Sequence, residues 1–386
     1  MRIRLENGRI VTPQGVLDGA DVTVVNGSVA ALACPGSSAA DQVIDLEGGW
    51  LLPGFIDTQV NGGGGVLFND QVDVDAIAAI GAAHARFGTT AFLPTLISDT
   101  PDQIAAALAA VDAAIDHGVP GVVGIHVEGP FINEIKRGIH EARRIRRLDA
   151  DTLALLTAPR RGRVMLTLAP ELCDEADIRT LVEHGVIVSA GHTNATYDEA
   201  QRAIAAGLTG FTHLFNAMSP LHHRNPGAVG AAFDSDSWCG MIVDDAHLHP
   251  AVVRLAVRAK GIERLMLVTD AMPSVGTGDT EFMLQGKRIM VRNGVCLFED
   301  GTLAGTHLDM ASALRNTVEV TGLNVAEAAV MASATPARFL SLEQHGGIAA
   351  GKRADWVWLD AGLHPRGTWI GGEPLTEETE FARAAQ

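Results

Sequence analysis

Imidazole, carboxylate and amide side chains recur in this chain at the ends of short apolar runs. Gln59 and Asn61 close the run from Gly54, His126 and Glu128 the run from Val122, and His192 follows Val186 to Ala190. His213 ends the run from Gly210, and Asp270 follows Leu265 to Thr269. Two histidines and a glutamate form a ligand set for Zn²⁺ that leaves a coordination position for water. Water held by such a cation ionises near neutral pH and becomes a usable nucleophile. A carboxylate beside it, the part expected of Asp270, can take the water's proton and pass it to a departing amine. Each residue alone has a plainer explanation: a histidine at a strand end is often only hydrogen-bonded structure, a glutamate before Gly-Pro a turn residue, and Asp270 a loop cap. Independent structural residues need not share one face, so their joint placement favours a metal site.

Eight apolar runs alternate with Ala-rich helical stretches, the pattern of repeated βα units in an α/β protein. They are Gly54 to Val60, Thr90 to Thr95, Val122 to Val127, Val164 to Ala169, Val186 to Ala190, Gly210 to Leu214, Gly240 to Val243 and Leu265 to Thr269. Eight strands suffice for a closed (β/α)8 barrel of the TIM type, whose C-terminal strand ends open on one face. A doubly wound open sheet is the alternative, but no GxGxxG follows the first strand and the ionisable residues fall at many strand ends. Helix punctuation supports the count: Thr100-Pro101-Asp102-Gln103 offers an N-cap, a proline at N1 and a capping-box glutamine, with Gly118 closing that helix. Thr196 to Glu199 is a second capping box, stopped by Gly207. Phe282 to Leu297 instead reads as a hairpin inserted after strand eight, with turns at Gln285-Gly286 and Asn293-Gly294.

The first fifty residues read as a small antiparallel sheet: Arg2 to Leu5, Val22 to Val25 and Val43 to Leu46, with turns at Asn7-Gly8 and Asn26-Gly27. Gly351 to Asp360 has the same character, and neither patch has enough strands to stand alone. Residues 1–52 and 345–386 are therefore expected to form one small β-sandwich domain, and 53–344 the barrel.

The 386 residues carry a net charge of -17, a surface that repels nucleic-acid phosphates and anionic lipid. No nucleic acid and no membrane is expected as partner. The N-terminus is broken by charge every two or three residues and lacks the apolar core of a secretory signal, so a cytoplasmic location is expected. Cys34, Cys173, Cys239 and Cys296 form no CxxC pair, which argues for reduced thiols. The run Arg143-Arg144-Ile145-Arg146-Arg147 reads as a solvated face with acidic neighbours, and His84, His117 and His184, within or at the ends of helices, read as structural.

Six stretches stand out in order: PGFIDTQVNGGGG, HVEGPFI, KRGIH, SAGHTNA, THLFNAMSP and LVTDAM, with LAGTHLDM beyond them. At these residues the chain resembles the N-acetylglucosamine-6-phosphate deacetylases of the amidohydrolase superfamily. The resemblance implies removal of the acetyl group from N-acetyl-D-glucosamine 6-phosphate, yielding glucosamine 6-phosphate and acetate. It implies that Glu128, His192 and His213 hold one divalent metal ion per subunit, Zn²⁺ first among candidates, and that Asp270 transfers the proton. It further implies that His140 hydrogen-bonds the scissile carbonyl oxygen, that Asn216 and Ala217 contact the sugar phosphate, and that His247 binds substrate. Arg224 would reach a phosphate in the neighbouring subunit of a homodimer, and guanidinium suits phosphate bidentately.

Two departures qualify these implications. Gln59-Val60-Asn61 replaces the His-x-His of binuclear superfamily members, and amides are weak zinc ligands, so one metal is favoured, with Gln59 as a neighbour or weak second site. Asp245 replaces the glycine of the family's Asp-Gly-x-His, adding negative charge near an anionic ligand. Two other readings stay open: deacetylation of the galacto epimer or another amide substrate, and a non-enzymatic barrel scaffold, against which the intact Glu128, His192, His213 and Asp270 speak.

Overall fold

The computed structural model describes residues 2–34, 36 and 39–375. Within it the segment Thr89–Ile97, sequence TTAFLPTLI, is buried at every residue. Continuous burial of so apolar a strand requires cover on both faces, which a parallel sheet ringed by helices provides. Seven further strands join it: Phe55–Val60 (β1), then Thr89–Ile97 itself (β2), Gly124–Glu128 (β3), Arg163–Leu168 (β4), Ile187–Ala190 (β5), Gly210–Phe211 (β6), Trp238–Met241 (β7) and Leu265–Leu267 (β8). They lie side by side in chain order and pair in parallel throughout. A parallel bridge between Val60 and Ala271 closes the ring, with Asp270 N–H donating to Gln59 C=O at 2.9 Å. This is the (β/α)8 barrel, and all eight expected runs supply its strands.

The helices begin where their capping residues place them. Thr100 Oγ1 accepts the Gln103 N–H ahead of Pro101–Asp116, and Thr196 with Glu199 forms a reciprocal capping box before Tyr197–Ala205. Gly118 and Gly207 follow those helices with φ of 70° and 111°.

Both chain ends build the second layer. Arg2–Glu6, Asp21–Val25, Ser28–Ala33 and Gln42–Asp45 make a four-stranded sheet. Arg9–Thr12, Gly15–Asp18 and Trp50–Pro53 combine with Trp356–Leu359, Pro365–Ile370 and Glu373–Pro374 into a six-stranded one. Leu5, Ile10, Val22, Leu46, Leu51 and Trp356 share one apolar core between the sheets. The sheets are mixed rather than purely antiparallel: Arg2–Glu6 pairs in parallel with Gln42–Asp45, and Arg9–Thr12 with Trp50–Pro53. In each case the chain returns to the sheet after another hairpin, so it re-enters running the same way. Residues 376–386 of the expected β-domain lie outside the described residues.

The expected hairpin is the start of a four-stranded meander, Glu281–Leu284, Lys287–Arg292, Val295–Leu297 and Leu303–Thr306. Its last strand bridges Ala271 through Thr306, which seats the meander beside the end of β8. Among the described residues no helix is long and apolar enough to cross a membrane.

Candidate metal centre

Parallel strands deliver their C-terminal ends to one rim, and three side chains converge there. Glu128 is the last residue of β3, His192 lies two residues past β5, and His213 two past β6. His213 Nε2 is 3.0 Å from Glu128 Oε1 and 3.1 Å from His192 Nε2, and His192 Nε2 is 3.2 Å from the same Glu128 oxygen. Such edges are those of three ligand atoms each about 2 Å from one ion. His192 Nδ1 donates to the Lys136 carbonyl at 2.8 Å, so a neutral His192 turns a lone pair toward the other two atoms. A carboxylate oxygen and imidazole lone pairs at this spacing repel unless a cation or a proton lies among them. The donor set therefore fits a divalent ion of the zinc class, with a carbonyl fixing one imidazole from behind.

The backbone at these positions is unusual. His192, His213 and Asp270 have φ of 47°, 35° and 53°, left-handed values that cost non-glycine residues about 1–3 kcal/mol each. Hydrogen bonds hold the turns: Asn133 N–H donates to His192 C=O, Asn216 N–H to His213 C=O, and Asp270 N–H to Gln59 C=O.

Asp270 borders the triad without joining it. Its Oδ1 accepts Asn61 Nδ2 at 2.7 Å and Gln59 Nε2 at 3.1 Å, which leaves Oδ2 for a proton. Gln59 Nε2 also donates to Glu128 Oε1 at 3.1 Å, so this amide separates two carboxylates rather than offering a ligand atom from its nitrogen. Burial, then the charge of Glu128, pushes Asp270 up to about 6. Burial would raise Glu128 as well, but the imidazoles of His192 and His213 outweigh it and hold the carboxyl well below its ordinary range.

His140 stands against the same cluster. One of its ring nitrogens lies within 4.8 Å of the Glu128 and His192 donor atoms, and its ring meets that of His192 edge-on at 4.4 Å between centroids. Its Nδ1 is occupied by Ser98, whose N–H and Oγ lie 3.2 and 2.7 Å away.

His126, which sequence placed with the rim residues, points to the barrel interior. Positions 126 and 128 of one strand share a face, and 126 is one layer deeper. Its Nε2 meets Thr167 Oγ1 at 2.7 Å, and the chain of hydroxyls continues through Thr212 to Ser189. Burial lowers its pKa to about 4.

Of the remaining candidates, Asn216 lies just past His213, and its buried Nδ2 has no hydrogen-bond partner among the described residues. Ala217 has φ 52°, and its carbonyl accepts Thr193 N–H. His247 is held by Asp244, whose Oδ2 lies 2.7 Å from its Nδ1. Asp245 is exposed with φ 62°, the backbone that a glycine adopts without strain and aspartate tolerates. Arg224 is exposed beside a hollow of about 650 Å³ lined by Asn194, Tyr197, Ser219 and His222, whose lining does not include Glu128, His192 or His213.

Two supporting residues escaped the sequence. Ser98 follows β2 in no recognisable motif, and Glu171, past β4, accepts Asn133 Nδ2, Thr193 Oγ1 and Asn194 N–H, anchoring the turn that carries His192. Asp244 was legible in principle, three residues before His247.

Comparison with known proteins agrees with this architecture. Residues 50–382 match the Amidohydrolase family. An N-acetylgalactosamine-6-phosphate deacetylase of Shewanella sp. (strain ANA-3) is 46% identical over 341 residues, 87% of this chain and 86% of the relative. The N-acetylglucosamine-6-phosphate deacetylase of Homo sapiens is 39% identical over 362 residues, 89% of this chain and 87% of that one. The crystal structure of N-acetylglucosamine-6-phosphate deacetylase from Pasteurella multocida superposes with a TM-score of 0.95 at 34% identity, covering 98% of this chain and 100% of that one. A mutant of the Mycobacterium smegmatis enzyme in complex with N-acetyl-D-glucosamine-6-phosphate superposes with a TM-score of 0.88 at 32% identity, covering 97% and 98%.

Proposed function

Because the chain belongs to the amidohydrolase family, we propose that it removes the acetyl group from N-acetyl-D-glucosamine 6-phosphate, giving D-glucosamine 6-phosphate and acetate. The observation that carries this reading is the triangle of Glu128, His192 and His213 with Asp270 beside it, in a chain whose relatives are named for this class of reaction. Glu128, His192 and His213 would hold one divalent ion per subunit, with Zn²⁺ the best match to the donors. When bound, such an ion polarises a carbonyl and makes water acidic enough to attack near neutral pH.

The chain's own groups supply the rest. Asp270 takes a proton from the attacking water on Oδ2, and the new C–O bond forms at the acetyl carbon. The same carboxyl returns the proton to the amine nitrogen as the C–N bond breaks. His140 donates from Nε2 to the carbonyl oxygen while negative charge gathers there. Asn216 offers its Nδ2, without a partner among the described residues, and Ala217 its backbone, to the sugar phosphate, and His247, braced by Asp244, binds substrate. Arg224, exposed on the loop after β6, would serve the neighbouring site of a homodimer.

The galacto epimer is a second reading, favoured by the relative that is 46% identical. The division into a β-domain of residues 1–52 with 345–386 and a barrel of 53–344, and a place in the cytoplasm, belong to the same proposal. The test is parallel kinetics on both N-acetylhexosamine 6-phosphates with metal analysis of the purified protein. A higher kcat/KM on the gluco sugar with about one zinc per chain is expected; preference for the galacto sugar selects the second reading. No turnover of either sugar with a divalent ion bound would point to another amide substrate, and no turnover after zinc is added together with no bound ion would leave the scaffold.

A further inference from the structure

Ser98 directs both of its donor groups at one atom. Its backbone N–H lies 3.2 Å and its hydroxyl 2.7 Å from His140 Nδ1. A backbone N–H can only donate, so Nδ1 must present its lone pair, and the hydroxyl then has no ring proton to accept and donates as well. A neutral imidazole carries one N–H, which is thereby assigned to Nε2. Were His140 a metal ligand through Nε2, Nδ1 would carry the proton and face the Ser98 N–H, donor against donor. The arrangement is enclosed, with Ser98 and His140 each 1% exposed. Gly129 makes room for it, since a Cβ there would collide with the Ser98 hydroxyl. The His140 backbone is tied at both ends, its N–H to the Arg137 carbonyl and its C=O to Arg137 Nη1.

We propose that Ser98 is a positioning residue that locks His140 into the Nε2–H tautomer and so excludes it from the ligand set while making it a hydrogen-bond donor to the reacting carbonyl. The tautomer follows from the Ser98 contacts alone; what the donor is used for rests on the deacetylase reading. Losing one donor to a developing oxyanion costs about 10²–10³ in rate, and Ser98→Ala, which keeps the backbone N–H, should lose less.

The experiment combines ¹⁵N-histidine NMR of the zinc-loaded protein, with His140 assigned through His140→Asn, and kinetics of Ser98→Ala and Ser98→Cys. The wild type is expected to show a protonated Nε2 and an unprotonated Nδ1 at His140. Ser98→Ala should gain an Nδ1–H population and lose about tenfold in kcat, with KM within twofold and zinc content unchanged. Ser98→Cys, a weak donor of nearly the same shape, should fall between, and it decides the matter if the alanine variant does not fold. A wild-type His140 protonated at Nδ1, or variants with wild-type ¹⁵N signature and kcat, would overturn the proposal. If no N-acetylhexosamine phosphate is turned over, the deacetylase reading fails while the NMR result still reports the tautomer.

Discussion

Thr269 donates its hydroxyl to Asp57 Oδ2 at 2.5 Å, across the seam where the last barrel strand meets the first. The other oxygen of Asp57 accepts the N–H groups of Gln59 and Thr269 at 3.1 and 3.3 Å. Three donors converge on a wholly buried carboxylate, and the next residues outward are Gln59 and Asp270. Burial pushes Asp57 up to about 7 in spite of those bonds.

Thr269→Val keeps the shape of the side chain but leaves Asp57 Oδ2 and the Ala271 N–H without the hydroxyl. A buried polar group stripped of its partner costs about 1–3 kcal/mol. Urea unfolding should show that loss, together with a lower kcat because Asp270 adjoins the damaged seam. An unchanged midpoint would mean the seam does not depend on this bond.

Asp270→Asn should retain the metal and lose about 10²–10⁴ in kcat, the range supplied by a positioned proton carrier. The variant amide can still meet Asn61 and Gln59 through its carbonyl oxygen, but its nitrogen, in place of Oδ2, cannot take a proton. In the wild type the carboxyl works only when ionised, so kcat/KM should fall as pH drops through about 6. A bound cation favours the carboxylate and can move that limb only downward. A limb centred above pH 7, or near-normal turnover by the asparagine variant, would remove Asp270 from this role.

The barrel was legible in the sequence because its strands are short apolar runs bounded by capped helices, and the proposed ligands because Glu128, His192 and His213 stand at the tips of those runs. What periodicity could not resolve was depth: His126 and Glu128 share a strand face, and only the packed barrel shows that one lies a layer beneath the other. Nor could composition reveal the parallel pairing of Arg2–Glu6 with Gln42–Asp45, since strand direction depends on the path between them. Ser98 was invisible because its role consists of aiming two donors at a ring 42 residues away in sequence.

His126 gives the fold an acid limit. Burial lowers its pKa from 6.5 to about 4, so the folded state keeps it neutral while the unfolded chain takes up a proton. The unfolded state therefore binds more protons between those values, and stability is lost as pH falls from about 6.5 toward 4, by up to about 3 kcal/mol. Unfolding free energies across that window should show the slope in the wild type and a shallower one in His126→Asn. Parallel slopes in the two proteins would assign the acid sensitivity elsewhere.

Arg224 offers a test of assembly as well as of recognition. Its guanidinium is exposed, and among the described residues its Nε donates to the neighbouring His223 ring at 3.2 Å, with no hydrogen bond to Glu128, His192 or His213. If it reads phosphate across a dimer interface, Arg224→Ala should raise KM for the phosphorylated sugar at least tenfold while barely changing it for the unphosphorylated one. Pairing Arg224→Ala subunits with Asp270→Asn subunits then separates two geometries. Across an interface, one site of each mixed dimer collects both defects and the other collects neither, so activity at low substrate rises above that of either parent. If Arg224 served its own chain, every site would keep one defect and mixing would restore nothing.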